Sequence, residues 1–286
     1  MAYLLPTEFV SKMVDAGESK IYMSTRDTLV RGYMAGAILA LAAVFAITVA
    51  VQTGSFLLGA VLFPVGFCML YLMGFDLLTG VFMLTPLAWL ANRPGVTWPQ
   101  ILRNWGLIFV GNFAGALTVA FMMAFIFTYG FNTDGGAIAT KVSGIGEART
   151  VGYAQYGVAG WFTIFVRGML CNWMVSLGVV GAMVSTHVSG KVIAMWMPVM
   201  LFFFMGFEHS VVNMFLFPFA LIMGGNFSVM DYLLWNEIPT ALGNLVGGVA
   251  FTGLTLYSTH YRTAPKRKLA AKSEPVDGLN AKTASA

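Results

Sequence analysis

The sequence predicts an all-α integral membrane protein: a bundle of six transmembrane helices built as two inverted three-helix repeats, with helices 2 and 5 broken. Three observations carry this reading. Of 286 residues, 58% are hydrophobic and 10% charged, against about 25% charged in an ordinary soluble domain. Uncharged runs long enough to cross a bilayer recur along the chain. Short motifs also return later in the chain, in the same order and at nearly one offset. The net charge of +4 marks no nucleic-acid partner, because the six basic and two acidic residues from Arg262 onward account for all of it. A basic tail of that kind ordinarily labels the cytoplasmic end of a membrane protein.

The first 31 residues carry Glu8, Lys12, Asp15, Glu18, Lys20, Arg26, Asp27 and Arg31, so no cleavable signal peptide with an early apolar core is expected. Phe9 and Met13, and Val10 and Val14, stand at helical spacing after Pro6. An amphipathic, cytoplasmic helix lying on the membrane surface or against the bundle follows.

Gly32 to Phe75 is uncharged over 44 residues. As one helix it would run about 66 Å, twice the roughly 30 Å of hydrocarbon. Two spans share it, dividing at Gln52-Thr53-Gly54: the first over 32–52, the second from near Ser55. The third is placed near 100–128, the fourth near 157–185, the fifth near 192–224 and the sixth near 232–258. Spans two and five are each interrupted by glycine and an acid, in Met73-Gly74-Phe75-Asp76 and Met205-Gly206-Phe207-Glu208. Each is read as one broken span, since 77–92 offers only 16 residues, includes Pro86 and follows no polar turn. With both termini inside, 13 basic residues lie on the inner side and 2, Lys141 and Arg149, on the outer, in the sense of the positive-inside rule. Eight spans would give 12 and 3, so charge alone does not decide the number. Tyr129 to Gln155, with six glycines, is expected to be an extracytoplasmic loop. The transport domain is thus 32–258, with repeats over about 31–128 and 157–258, and 259–286 is a basic cytoplasmic tail expected to be disordered.

The repeat rests on three matches. Met73-Gly74-Phe75-Asp76 returns as Met205-Gly206-Phe207-Glu208, and Gly111-Asn112-Phe113-Ala114-Gly115 as Gly243-Asn244-Leu245-Val246-Gly247, both at offset 132. Arg31-Gly32 returns as Arg167-Gly168 at offset 136. A unit of three spans enters the membrane from the opposite side at its second copy, so the repeats are inverted. Matched interruptions in inverted halves point to a substrate site near the midplane, where half-helix N-termini offer partial positive charge. That favours an anion.

Ionisable groups at membrane depth are functional candidates. Asp76 and Glu208 stand at equivalent places before the second half-helices and are expected to support the loops by accepting from N–H groups freed at the breaks. His209 is the one histidine placed inside the bilayer, able to donate to an anion and to titrate near neutral pH. Thr79 offers a hydroxyl from the other repeat. Phe63, Phe67 and Phe202 flank the breaks, as an apolar constriction requires. Arg167, in the fourth span, is expected either to snorkel to the interface or to pair with a carboxylate, Glu208 or Glu237. Cys68 and Cys171, in apolar runs, read as core residues, and no metal ligand set or cofactor is expected.

Gly206-Phe207-Glu208-His209-Ser210-Val211-Val212-Asn213-Met214-Phe215, preceded by Arg167-Gly168-Met169-Leu170-Cys171-Asn172-Trp173-Met174-Val175, resembles the signature stretches of the formate/nitrite transporter family. Gly74-Phe75-Asp76-Leu77-Leu78-Thr79, Asn104-Trp105 with Gly111-Asn112, and Pro239 with Gly243-Asn244 extend the resemblance over about residues 4–258. It implies an aquaporin-like subunit with its own pore, assembled as a homopentamer and passing small monovalent anions. By motif position it implies that Thr79 is the loop threonine, His209 the central histidine and Asn172 a pore-lining asparagine. Phe63, Phe67, Leu77, Leu78 and Phe202 would form the two constrictions. The family's lysine, about 16 residues before that asparagine, is replaced here by Gln155 and Tyr156; Lys141 or Arg149 is the candidate substitute.

The function expected is transport of nitrite or formate across the inner (plasma) membrane, the anion being held by Thr79, His209 and half-helix amides and gaining a proton to leave as neutral acid. Bicarbonate, hydrosulfide or lactate are the alternatives on the same fold. An intramembrane enzyme would need a nucleophile elbow or a second histidine beside His209 and Glu208, and neither stands in the sequence; a structural subunit is the remaining alternative.

Overall fold

The computed structural model describes residues 3–263. Among them 81% are helical, and the bridge between Tyr3 and Ser185 is the one β-type contact. Helix α1 (Pro6–Ile21) precedes α2 (Thr25–Thr53), α3 (Phe56–Leu72), α4 (Leu78–Leu90) and α5 (Trp98–Phe127). After a loop carrying α6 (Gly136–Ala148) come α7 (Gly157–Val184), α8 (Val188–Phe204), α9 (Ser210–Ile222) and α10 (Val229–Tyr261). Four of these, α2, α5, α7 and α10, are long and apolar enough to cross a bilayer. The pairs α3–α4 and α8–α9 are shorter apolar helices meeting end to end at the breaks. Six spans with helices 2 and 5 broken are thus the architecture.

The first span begins seven residues before its expected start, because Ser24 caps it: the Asp27 N–H donates to Ser24 Oγ at 3.0 Å. The polar turn Thr25–Arg31 therefore extends α2 beyond the hydrocarbon rather than ending it. The expected loop 129–155 is also corrected, since it folds into α6 and a single turn at Val151–Ala154. Ala139, Val142 and Gly146 form a buried stripe on α6 that packs on α9; six glycines in the segment had masked that spacing. Of the two positions open to α1, the structure takes the one against the bundle, buried along α4. The tail expected over 259–286 lies outside the described residues except at 259–263.

Each repeat is held by a close helix pair, α2 on α5 and α7 on α10. A Cβ at Gly115 would stand 1.9 Å from the Tyr33 carbonyl oxygen, and one at Gly247, its counterpart in the second repeat, 2.1 Å from that of Met169. Only glycine permits these crossings, the small-residue contact typical of membrane helices. The breaks match as well: Gly74 has φ +73° and Gly206 φ +62°, the left-handed region that ends a helix with least strain at glycine.

α1, the Arg93–Pro94 turn and the Ser185–His187 turn gather at one end of the bundle. There the Leu4 N–H donates to Val184 O at 2.9 Å, the Tyr22 hydroxyl to Pro94 O and the Tyr257 hydroxyl to Leu90 O at 3.0 Å. α6 lies at the other end, where the Asn226 N–H donates to Glu147 Oε1 at 2.8 Å. We call these the terminal face and the loop face.

Candidate functional site: a pore between matched half-helices

A helix starting inside a membrane exposes N–H groups that lipid cannot satisfy. The chain solves this twice in the same way. Asn112 of α5 accepts the Leu78 N–H on Oδ1 at 2.9 Å and donates through Nδ2 to Asp76 O at 2.9 Å and Gly32 O at 2.8 Å. Asn244 of α10 accepts the Ser210 N–H at 2.9 Å and donates to Glu208 O at 2.9 Å and Gly168 O at 2.8 Å. The expectation that the Asp76 and Glu208 carboxylates would cap these helices is therefore corrected: asparagines from the following spans do so.

The carboxylates face cations instead. Lys20 of α1 meets Asp76 Oδ1 at 2.6 Å. Glu208 Oε1 lies 3.5 Å from Arg149 Nε and 3.9 Å from Arg167 Nε, so Glu208 rather than Glu237 is the partner of Arg167. Arg167 also donates to Gly206 O, and Glu208 Oε2 accepts from Asn213 at 3.0 Å. The asparagine bonded behind each cation is mirrored as well. Asn104 donates to Lys20 O at 3.0 Å, and Asn236, its counterpart in the second repeat, to Arg149 O at 3.1 Å. Lys20 and Arg149 are thus equivalent in space although neither belongs to the repeated spans.

Thr79 at the start of α4 and His209 at the start of α9 meet at the centre, Oγ1 to Nε2 3.4 Å. His209 Nδ1 accepts the Val212 N–H at 3.4 Å, which leaves the neutral ring its proton on Nε2, toward Thr79. Its ring stacks on Phe202 at 5.6 Å. Two cavities approach this contact. One, of about 250 Å³ on the terminal side, is lined by Lys20, Phe67, Tyr71, Asp76, Leu77 and Thr79 among others. The other, of about 50 Å³ on the loop side, includes Arg149, Phe202, Gly206, His209 and Asn213 in its lining.

Of the residues proposed for the constrictions, Phe67 and Leu77 line the first cavity and Phe202 the second. Phe63 packs edge-on against Phe202 at 5.7 Å and stacks on Phe203 at 4.0 Å. Leu78 is buried in the core and lines neither cavity. Asn172 also lines neither; its amide donates to Thr79 O at 3.1 Å and Asn244 O at 2.6 Å, placing it behind the threonine. Sequence reasoning did not identify the roles of Lys20, Asn104, Asn213 and Asn236. The offset that relates the two breaks also relates Asn104 to Asn236 and would have found that pair; it takes Lys20 to Gly152 and Asn213 to Val81, so it finds neither of those.

Matched half-helices meeting at a polar point between two cavities, inside a six-span apolar bundle, define a membrane transport protein. The comparisons place it more closely. The formate/nitrite transporter family model matches residues 7–258. An uncharacterized transporter of Bacillus subtilis (strain 168) is 31% identical over 94% of this chain and 98% of its own length. A formate channel of Bacillus thuringiensis is 30% identical over 92% and 98%. A solved pentameric formate channel with formate bound superposes with a TM-score of 0.67 at 24% identity, over 82% of this chain and 96% of that one. The chain belongs to the formate/nitrite transporter family.

Proposed function

We propose that the protein passes a small monovalent anion, formate or nitrite, through a pore in each subunit of a homopentamer in the inner (plasma) membrane, with both termini cytoplasmic. The observation that carries this reading is the Thr79–His209 contact, 3.4 Å long, where the first turns of two half-helices meet between cavities from opposite faces. Helix N-termini attract anions through their dipoles and free amides. Among the described residues the N–H groups of Thr79 and Val211, equivalent positions in the two half-helices, have no hydrogen-bond partner. They join the Thr79 hydroxyl and His209 Nε2–H as donors. Phe67 and Leu77 on one side and Phe202 on the other strip water from the ion. The low dielectric favours its neutral acid, so a proton gained at the midplane eases exit. The pentamer is supported by the likeness to the pentameric channel, and the orientation by the topology count from the sequence, 13 basic residues on the inner side against 2 on the outer.

Formate and nitrite flux into liposomes carrying the purified protein tests the reading. Saturable flux of either ion above protein-free liposomes is expected, with lactate, bicarbonate and hydrosulfide as weaker competitors; no flux of formate or nitrite would overturn it.

Arg149, on the loop-side cavity, stands in for the cation missing at Gln155 and Tyr156. Arg149→Ala is expected to slow formate uptake several-fold at low ionic strength. The deficit should shrink in salt, as the screening length falls from about 30 Å at 0.01 M to about 10 Å at 0.1 M. Identical salt dependence in variant and wild type would remove Arg149 from this role.

A further inference from the structure

The asparagine clasps and the cation–carboxylate pairs at the first break are mirrored at the second, which gives a standard against which an added group can be judged. Glu237 is such a group. It lies in a π-helical turn of α10, Leu233–Glu237, a geometry that re-aims side chains and recurs at functional positions. Its side chain is buried. The Ser210 hydroxyl donates to Oε1 and the Tyr232 hydroxyl to Oε2 at 2.8 Å. Among the described residues no lysine, arginine or histidine pairs with it, because Arg149 and Arg167 face Glu208. Lone ionisable groups at membrane depth are costly to keep.

The scaffold does not require it. At the positions of the first repeat equivalent to Ser210 and Glu237 stand Leu78 and Trp105. The Trp105 indole donates to Thr85 Oγ1 at 2.8 Å within the first repeat. The start of α4 is nevertheless held by Asn112 in the same way that Asn244 holds α9. An acid joined to the first turn of α9 through Ser210 therefore adds something other than support.

We propose that Glu237 is a proton-binding site of the pore, its occupancy setting the charge behind Ser210 and so the ease with which an anion reaches the start of α9. Ionised, it places a negative charge at the helix end the anion uses and opposes it. Protonated, it leaves the helix dipole to the anion. The titratable and charged groups around it are Tyr232 on its own helix, Glu208 and His209 from the α8–α9 break, and Arg149 and Arg167 beyond Glu208. The inference rests on the anion pathway proposed above.

The test is formate exchange in liposomes held at the same pH inside and out, at pH 5.5 and 7.5, for wild type, Glu237→Gln and Glu237→Asp. Wild type should exchange about tenfold faster at the lower pH, the size of one unit charge acting across roughly ten ångströms of partly polar protein. Glu237→Gln should run at the fast rate at both, and Glu237→Asp should restore the dependence. A wild-type pH ratio persisting in Glu237→Gln would assign the titration to His209 and overturn the proposal. If no variant carries formate at any pH, the pathway itself fails, and infrared difference spectra on acidification decide the site. A protonated-carboxyl band in wild type that disappears in Glu237→Gln supports a proton at Glu237, and its absence rules one out. Elution of each variant as the wild-type assembly separates these outcomes from misfolding.

Discussion

Asn244→Leu is expected to destabilise the protein by roughly 2–6 kcal/mol, because it leaves the Ser210 N–H and the Glu208 carbonyl buried without partners at about 1–3 kcal/mol each. Leucine matches asparagine in the number and branching of its heavy atoms and suits lipid better, so the lost hydrogen bonds are the larger part of the effect, with the bulkier methyl groups adding to it in the same direction. The mirror gives a second reading of the same effect. Asn112→Leu strands the Leu78 N–H and the Asp76 carbonyl and should cost a similar amount. Reversible unfolding in detergent, by SDS titration with tryptophan fluorescence, measures both. Values within about 0.5 kcal/mol of wild type, the range of inconsequential surface changes, would show that the asparagines do not hold the breaks. A large loss for one and none for the other would show that the two halves are held differently.

Flux should collapse in His209→Phe. The ring is replaced by another of similar shape against Phe202, so packing survives while the donor at Nε2 disappears. A hydrogen bond to a charged group contributes about 1.5–3 kcal/mol, which is roughly ten- to a hundredfold in the rate of an anion that must pass this point. Thr79→Ala removes one donor of a set that includes backbone amides, and should fall toward the lower end of that range. Formate or nitrite uptake at saturating and low concentration, in liposomes of matched protein content, separates weaker binding from slower passage. Unchanged flux in both variants would sink the assignment of the site.

Much of this was legible in the sequence. Absence of charge located the spans, and one offset located both breaks, paired Asn112 with Asn244 and set Thr79 and His209 beside them. The caps were not legible as caps. In soluble helices the capping side chain comes from the residue at the helix start, which drew attention to Asp76 and Glu208, whereas here the first N–H of each half-helix is held by an asparagine from another span, and His209 at the start of α9 takes only the Val212 N–H. Lys20 escaped, and Arg149 was read as a candidate vestibule cation but not as the partner of Glu208, for a related reason: each comes from a segment outside the repeat, and offsets compare only what was duplicated. The helix Gly136–Ala148 was hidden because glycine carries a loop signal that burial against α9 overrode. The hydroxyls around Glu237 depend on a π-turn, which no helical period of 3.6 residues anticipates.

The asparagine clasps also fix an order of events during synthesis. Each half-helix waits for a side chain 34 residues further along the chain. At about 5–20 residues per second, that is a delay of roughly 2–7 s during which α4, and later α9, has been made but not fastened. A ribosome-bound chain ending between Leu90 and Asn112 should therefore hold its half-helix loosely, beside the insertion machinery rather than in lipid. Its twin should pass through the same unfastened interval, facing the other way, before Asn244 emerges.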